Sequence, residues 1–138
     1  VTAWIVNDGA PDAETLLRIR GAAGMTVYSI EAARIGAARS LFGVTVTLDG
    51  EVIGIGRIIG DGGYFFDVTD IAVLPAHQGK GVGKAIMGRL VEWLKANAPA
   101  KSFVSLFADV GAPPLYEKFG FRARGPENPG MIWKRDAQ

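Results

Sequence analysis

Ile71-Ala72-Val73-Leu74-Pro75-Ala76-His77-Gln78-Gly79-Lys80-Gly81-Val82-Gly83-Lys84 is the stretch on which the reading of this chain turns. An apolar run ends at Pro75, and three glycines follow within five residues. Val82, Ile86, Leu90 and Leu94 then recur every four residues, with Met87 and Val91 beside them. That spacing is one face of an α-helix; Lys84, Arg89, Glu92 and Lys95 take the other. A strand therefore runs through a glycine-rich turn straight into an amphipathic helix. Glycine lets the backbone turn tightly and approach a ligand with no Cβ in the way. N–H groups at a helix start lack helical acceptors, and the helix dipole favours an anion there. The loop is expected to hold phosphate. The plainer alternative is a tight connection, which rarely needs so many glycines.

Outward from this stretch the period changes. Val44-Thr45-Val46-Thr47-Leu48 alternates as a strand does, Asp49-Gly50 is a hairpin signal, and Val52 to Ile59 returns. A further turn at residues 60–63 leads into a β run over residues 64–73, so three strands form an antiparallel meander. Before it lie a short strand at residues 3–6, a helix begun near Asp12 and stopped at Gly21, and a second helix capped by Ser29. After the long helix come a strand at 102–107, a short helix at 113–119, and strands at 121–124 and 131–134 around a Gly/Pro-rich loop. There is no internal repeat or linker, and residues 1–138 read as one α/β domain with a mixed sheet.

Composition narrows the chemistry. Hydrophobic residues make up 49% and charged residues 21%, a folded rather than a disordered balance. Net charge is +1, and a cluster such as Lys134-Arg135 is too small to form a nucleic-acid face. With no cysteine there is no thiolate nucleophile and no thiolate metal site; with His77 alone, neither a His-rich metal site nor a His-based triad has its parts. No metal and no nucleic-acid partner are expected. No apolar run approaches the ~20 residues that cross a bilayer, and Val1-Thr2-Ala3-Trp4 lacks a leader pattern. No membrane association and a cytoplasmic setting are expected.

Two nucleotide-loop readings fail on spacing. A Walker A loop needs four residues between its first Gly and the Gly-Lys-Ser/Thr end, and here Gly79 is one residue too close while Ala85 replaces the hydroxyl. A dinucleotide fingerprint would need glycine where Lys84 stands. Gln78, Gly81 and Gly83 match instead the Gln/Arg-x-x-Gly-x-Gly/Ala loop of the GNAT superfamily, and Leu115-Tyr116-Glu117-Lys118-Phe119-Gly120-Phe121 is similar to that family's C-terminal Tyr-Glu-Lys-x-Gly-Phe signature. With both motifs in the expected order over nearly the whole chain, the sequence resembles a GNAT acetyl-CoA-dependent N-acetyltransferase.

The resemblance implies an α/β (α+β layered) fold with a mixed, mostly antiparallel sheet of about seven strands flanked by about four helices. It implies acetyl-CoA as cosubstrate. Ile71 and Val73, with Ala72 between them, would pair with its pantetheine arm. The backbone N–H groups of Gly79, Lys80, Gly81, Val82, Gly83 and Lys84 would hold its pyrophosphate beside Gln78, with Lys80 and Lys84 as added charge or as solvated lysines. Tyr116 matches the acid that protonates the departing thiolate; a phenol with a reference pKa of ~10 suits a thiolate of similar basicity. Asp67 stands four residues before Ile71, where some relatives carry a catalytic glutamate, and a water chain with no dedicated base is the competing reading.

Strand alternation puts Asp67 on the side of Ile71 and Val73 unless a bulge intervenes, and Asp70 on the opposite face in a structural hydrogen bond. Asp109 is a further acid, at a place where many relatives have Asn. Tyr28, Arg34 and Arg57 are candidates for the acceptor side, and Asp61, Asp67, Asp70 and Asp109 for an acidic groove. The acceptor is a small-molecule amine or the Lys or N-terminal amine of a peptide. The alternative function is a non-catalytic CoA-binding regulatory domain of the same fold. Met131-Ile132-Trp133 offers either a homodimer surface or core.

Overall fold

A computed structural model of the chain describes residues 3–109 and 112–135; Val1 and Thr2 of the leader reading lie outside the described residues. One sheet is formed by β1 (Ile5–Asp8), β2 (Phe42–Leu48), β3 (Glu51–Gly60), β4 (Phe65–Val73) and β5 (Phe103–Ser105), in that spatial order. Pairing is antiparallel from β1 to β4, and β5 joins β4 in parallel. The helices α1 (Ala13–Ala22) and α2 (Ile30–Ala38) connect β1 to β2, α3 (Val82–Asn97) is the crossover from β4 to β5, and α4 (Pro113–Glu117) follows.

Local chemistry sets these boundaries. Asp12 caps α1 by accepting from the N–H of Thr15 at 2.8 Å, and Ser29 caps α2 by accepting from Ala32 at 3.1 Å. Asp49 and Gly50 both take positive φ, +50° and +80°, as a two-residue hairpin requires. The apolar face of α3 (Val82, Ile86, Met87, Leu90 and Leu94) packs on Val44, Val46, Ile53, Ile58, Phe66 and Val68 in the main core. A Cβ on Gly56 would lie 2.6 Å from Ile86 Cγ2, so α3 sits on the sheet at a distance no side chain there allows. Leu16 and Ile19 of α1 form a second core with Ile55 and Ala72 on the other face.

Among the described residues there are five strands, against the about seven expected from the resemblance. Residues 121–124 and 131–134, read as strands, pair with nothing there, and Met131, Ile132 and Trp133 are 89%, 76% and 82% exposed. Strand propensity records fit to a half-buried pleated surface, so these side chains signal a strand only where a partner edge meets them. The opening strand lies two residues later than read, and β5 stops at Ser105 because it leaves β4 there. No helix among the described residues is long and apolar enough to cross a membrane.

A bulge in β4 reverses the alternation expected from the sequence. Ile55 pairs with Ala72 but Arg57 pairs with Thr69, so β4 carries one extra residue between those rungs, and Asp70 within it has φ +56°. Before the bulge the even-numbered Phe66 and Val68 face α3; beyond it Ile71 and Val73 pack on that core, and Ala72 turns to α1. Asp67 is therefore on the opposite side from Ile71 and Val73, and Asp70 joins it in lining the same cleft.

Candidate active site

β4 and β5 stay together for only three rungs, the last joining Asp67 to Ser105. Beyond it no strand pairs with the outer edge of β4 among the described residues. The gap opens into a cleft of about 330 Å³ whose walls include Arg20, Tyr28, Asp67, Asp70, Phe107, Asp109 and Tyr116. A larger hollow of about 450 Å³ lies on the other side of β5, against residues 121–124, and Tyr116 borders both. We place the site in the smaller cleft because Asp67, Asp109 and Tyr116 converge there and it adjoins the free edge of β4.

At the far end of that edge the glycine loop forms a cradle. Gly79 and Gly81 take φ of +75° and +89°, and beyond their chain neighbours no atom of a described residue lies within 4 Å of where their Cβ atoms would be. Gly81 is the N-cap of α3, offers no side-chain cap, and is followed by no acidic residue in the first turn. The first helical N–H to find an acceptor is that of Ala85, bonded to Gly81 O at 3.0 Å, and those of Val82, Gly83 and Lys84 have none among the described residues. Lys80 and Lys84 are exposed. Gln78 folds back, and its Nε2 donates to Val73 O at 2.9 Å, tying the loop to the end of β4. Free donors, a helix N-terminus and open glycine Cβ positions fit a pyrophosphate.

Two groups in the cleft carry displaced ionisation. Burial pushes the Asp67 carboxyl above the ordinary carboxylate range, and the charge of Asp70 adds to this; the hydrogen bond from Ser105 and the charge of Arg57 oppose it. Tyr116, buried in the main core, is likewise pushed up by burial first and by Asp109 second, so its hydroxyl keeps its proton. Asp70 is held between two guanidinium groups: Arg20 Nη1 donates to Oδ1 and Arg57 Nε to Oδ2, each at 2.5 Å. Arg20 also donates to Thr26 O and lies over the Tyr28 ring, and Arg57 donates to Gly36 O and Ser40 Oγ.

The structure brings Asp67, Asp109, Tyr28 and Tyr116 to one cleft and sets Arg57 behind it through Asp70. Arg34 stands apart, paired with Glu14 on the surface. Asp61 is spent on its own turn, accepting from the N–H groups of Gly63, Tyr64 and Phe65. Asp70 is neutralised, so of the four acids named for a groove only Asp67 and Asp109 face the cleft without a cationic partner among the described residues. Arg20, which lines the cleft, and Ser105, which donates to Asp67, are residues that the sequence reading missed. A basic residue in the last turn of α1 reads as a dipole partner, and a serine in a short strand carries no signal of its own.

Residues 38–123 match the acetyltransferase (GNAT) domain family. A Staphylococcus aureus protein of known structure, named a probable acetyltransferase, is 39% identical with a TM-score of 0.90, over 96% of this chain and 99% of that one. The Arabidopsis thaliana GCN5-related N-acetyltransferase 2, chloroplastic, is 34% identical over 60% of this chain, and the rice (Oryza sativa subsp. japonica) serotonin N-acetyltransferase 2, chloroplastic, is 32% identical over 64%. The chain spans 31% and 44% of the length of those two relatives. By its sequence motifs, its fold and these similarities, the chain belongs to the GNAT family and carries an acyltransferase domain.

Proposed function

We propose that this chain, as a single domain, moves the acetyl group of acetyl-CoA to a primary amine by direct attack with both substrates bound. The observation that carries the proposal is the continuity of the site: β4 runs from Asp67 at the fork along a free edge to Val73, and the chain passes from there through residues 74–78 into the cradle at residues 79–84. Acetyl-CoA supplies an acetyl group activated as a thioester. The N–H groups of residues 79–84 hold the pyrophosphate, with Lys80 and Lys84 adding charge, and residues 71–73 pair with the arm. Asp67 takes a proton from the acceptor's ammonium, through a water if its short side chain requires one, and so frees the nitrogen lone pair. Tyr116 Oη gives its proton to the sulfur as the C–S bond breaks, and recovers one from the nitrogen as the amide forms.

Asp67 works ionised, so kcat/KM rises with pH through a midpoint above the ordinary carboxylate value of ~4. Tyr116 works protonated, so activity falls only where its raised pKa is passed. A pH profile of kcat/KM checks both limbs.

The test is release of free CoA thiol from acetyl-CoA over a panel of amines: arylalkylamines, polyamines, amino acids, aminoglycosides and a Lys-containing peptide. The rice relative's name, serotonin N-acetyltransferase, puts arylalkylamines first. Turnover with one class is the expected result. CoA binding without turnover on any class would overturn the enzyme reading, and no CoA binding would overturn the site. Gly81→Val is expected to weaken acetyl-CoA binding at least tenfold, because a β-branched side chain disfavours the φ of +89° that aims the loop's N–H groups and its bulk enters the cradle. Calorimetric titration with CoA measures it. Pairing of two copies through the exposed Met131, Ile132 and Trp133 side chains, in the cytoplasm, belongs to the same proposal, and light scattering tests the pairing.

A further inference from the structure

β4 and β5 run side by side over Phe65 with Phe103, Phe66 with Val104, and Asp67 with Ser105. Residues paired in this way present their side chains on one face, and on the face of Asp67 the first rung is an aromatic pair, Phe65 against Phe103 edge to face at 5.8 Å. At the third rung the contact becomes polar: Ser105 Oγ donates to Asp67 Oδ1 at 2.9 Å. This bond sits at the fork, on the last pair before the strands part. Asp67 Oδ2 accepts no hydrogen bond from a described residue, and among the described residues no buried side-chain polar atom lacks a partner, so this second oxygen is open to the cleft.

We infer that Ser105 is a positioning residue for Asp67: its hydroxyl fixes one carboxylate oxygen at the fork and leaves the other, Oδ2, as the atom that takes the acceptor's proton. The inference rests on Asp67 acting as the base proposed above. An aspartate with free χ2 presents either oxygen over a broad range of angles. Held at Oδ1, the carboxylate has one remaining direction, which is what proton transfer over hydrogen-bond distance requires. The same bond favours the charged form and opposes the burial that raises the Asp67 pKa. The other charged or titratable groups facing Asp67 are Asp70 in the bulge, Arg57 on β3, Arg20 and Tyr28 on the α1–α2 side, and Asp109 and Tyr116 beyond β5. None of these is altered by changing Ser105, so a shift on that substitution reports the hydroxyl.

The experiment is a carbon-detected NMR titration of the Asp67 side-chain carboxyl, with CoA bound, set beside the pH profile of kcat/KM. In Ser105→Ala the Asp67 midpoint is expected to rise by about one pH unit, the size of one hydrogen bond to a charged group. The acid limb of kcat/KM should move with it, while the KM for acetyl-CoA holds. Ser105→Thr keeps a hydroxyl and should restore both. Ser105→Cys, a weaker donor of similar size, should shift both in the direction of the alanine variant, and it carries the test if that variant does not fold. An unmoved Asp67 midpoint in Ser105→Ala or Ser105→Cys overturns the inference. An Asp67→Asn enzyme with a wild-type pH profile overturns the base itself, and this inference with it. Loss of the acid limb in Asp67→Asn, with both readouts unmoved in the Ser105 variants, overturns the role of Ser105 alone.

Discussion

Asp70→Ala is expected to lower folding stability by about 3–5 kcal/mol, a large share of the ~5–15 kcal/mol typical of a domain. Arg20 and Asp70 are buried and Arg57 is nearly so, and among the described residues the aspartate is the only anion in direct contact with either guanidinium. Taking it away leaves two cations in poor solvent with no carboxylate, and that residual cost, rather than the worth of the pair, sets the size of the loss. Alanine also strains the backbone at φ +56°, a conformation aspartate and asparagine tolerate better than most residues. Asp70→Asn separates the backbone effect from the loss of the ion pairs, because it keeps a side chain suited to that backbone while removing the charge and one of the two acceptor oxygens. Urea unfolding monitored by tryptophan fluorescence should place Asn close to Ala if the charge dominates, and close to wild type if the backbone does. Since Arg20 and Arg57 also bond Thr26 O, Gly36 O and Ser40, the α1–α2 hairpin should loosen along with β4. Hydrogen exchange would show faster opening in residues 26–40 as well as near the bulge.

Tyr116→Phe should lower kcat by ~10²-fold while acetyl-CoA affinity and thermal midpoint stay near wild type. The ring is core, packed with α3 and the sheet, and phenylalanine keeps that packing. The hydroxyl accepts and donates no hydrogen bond among the described residues, so its loss breaks no structural contact. What it takes away is a proton held in place by burial and by the nearby Asp109. Equal falls in kcat and kcat/KM for the amine would mark an interaction made in the transition state alone. The alkaline limb of the pH profile should vanish too, because no group remains there to lose its proton. Wild-type turnover by Tyr116→Phe would leave the fold and the family untouched and remove this tyrosine from the chemistry.

Legibility in the sequence follows how local each cause is. The cradle and α3 are readable because glycine, helix periodicity and the strand before them lie within one contiguous stretch. The bulge is not: Phe65 to Val73 alternates between buried and half-buried positions with little break, although the chain crosses from one face to the other within it. The clue is chemical, a charged Asp70 at a position alternation would bury, with Arg20 and Arg57 far off in sequence to receive it. Alternation alone therefore sets Asp67 beside Ile71 and Val73, whereas those two pack on the core beneath α3 and Asp67 lies across the strand from that core. Ser105 escapes because its meaning comes wholly from the register of β4 with β5 across a helix of 16 residues. The C-terminal apolar runs mislead differently: a tendency toward extended backbone is not membership in the sheet.

The early parting of β4 from β5 also bears on how the chain avoids sticking to its own kind. An unpaired strand edge is a template on which another polypeptide can add, the usual starting point for aggregation. Here the bare edge is not at the rim of the sheet but recessed in a cleft walled by Leu106, Phe107 and Tyr116, which keeps a second folded sheet away while admitting a thin, flexible molecule. On the proposed reading the cosubstrate's arm fills that edge in the folded state as a removable strand, so resistance to aggregation, and not only catalysis, should rise with its concentration.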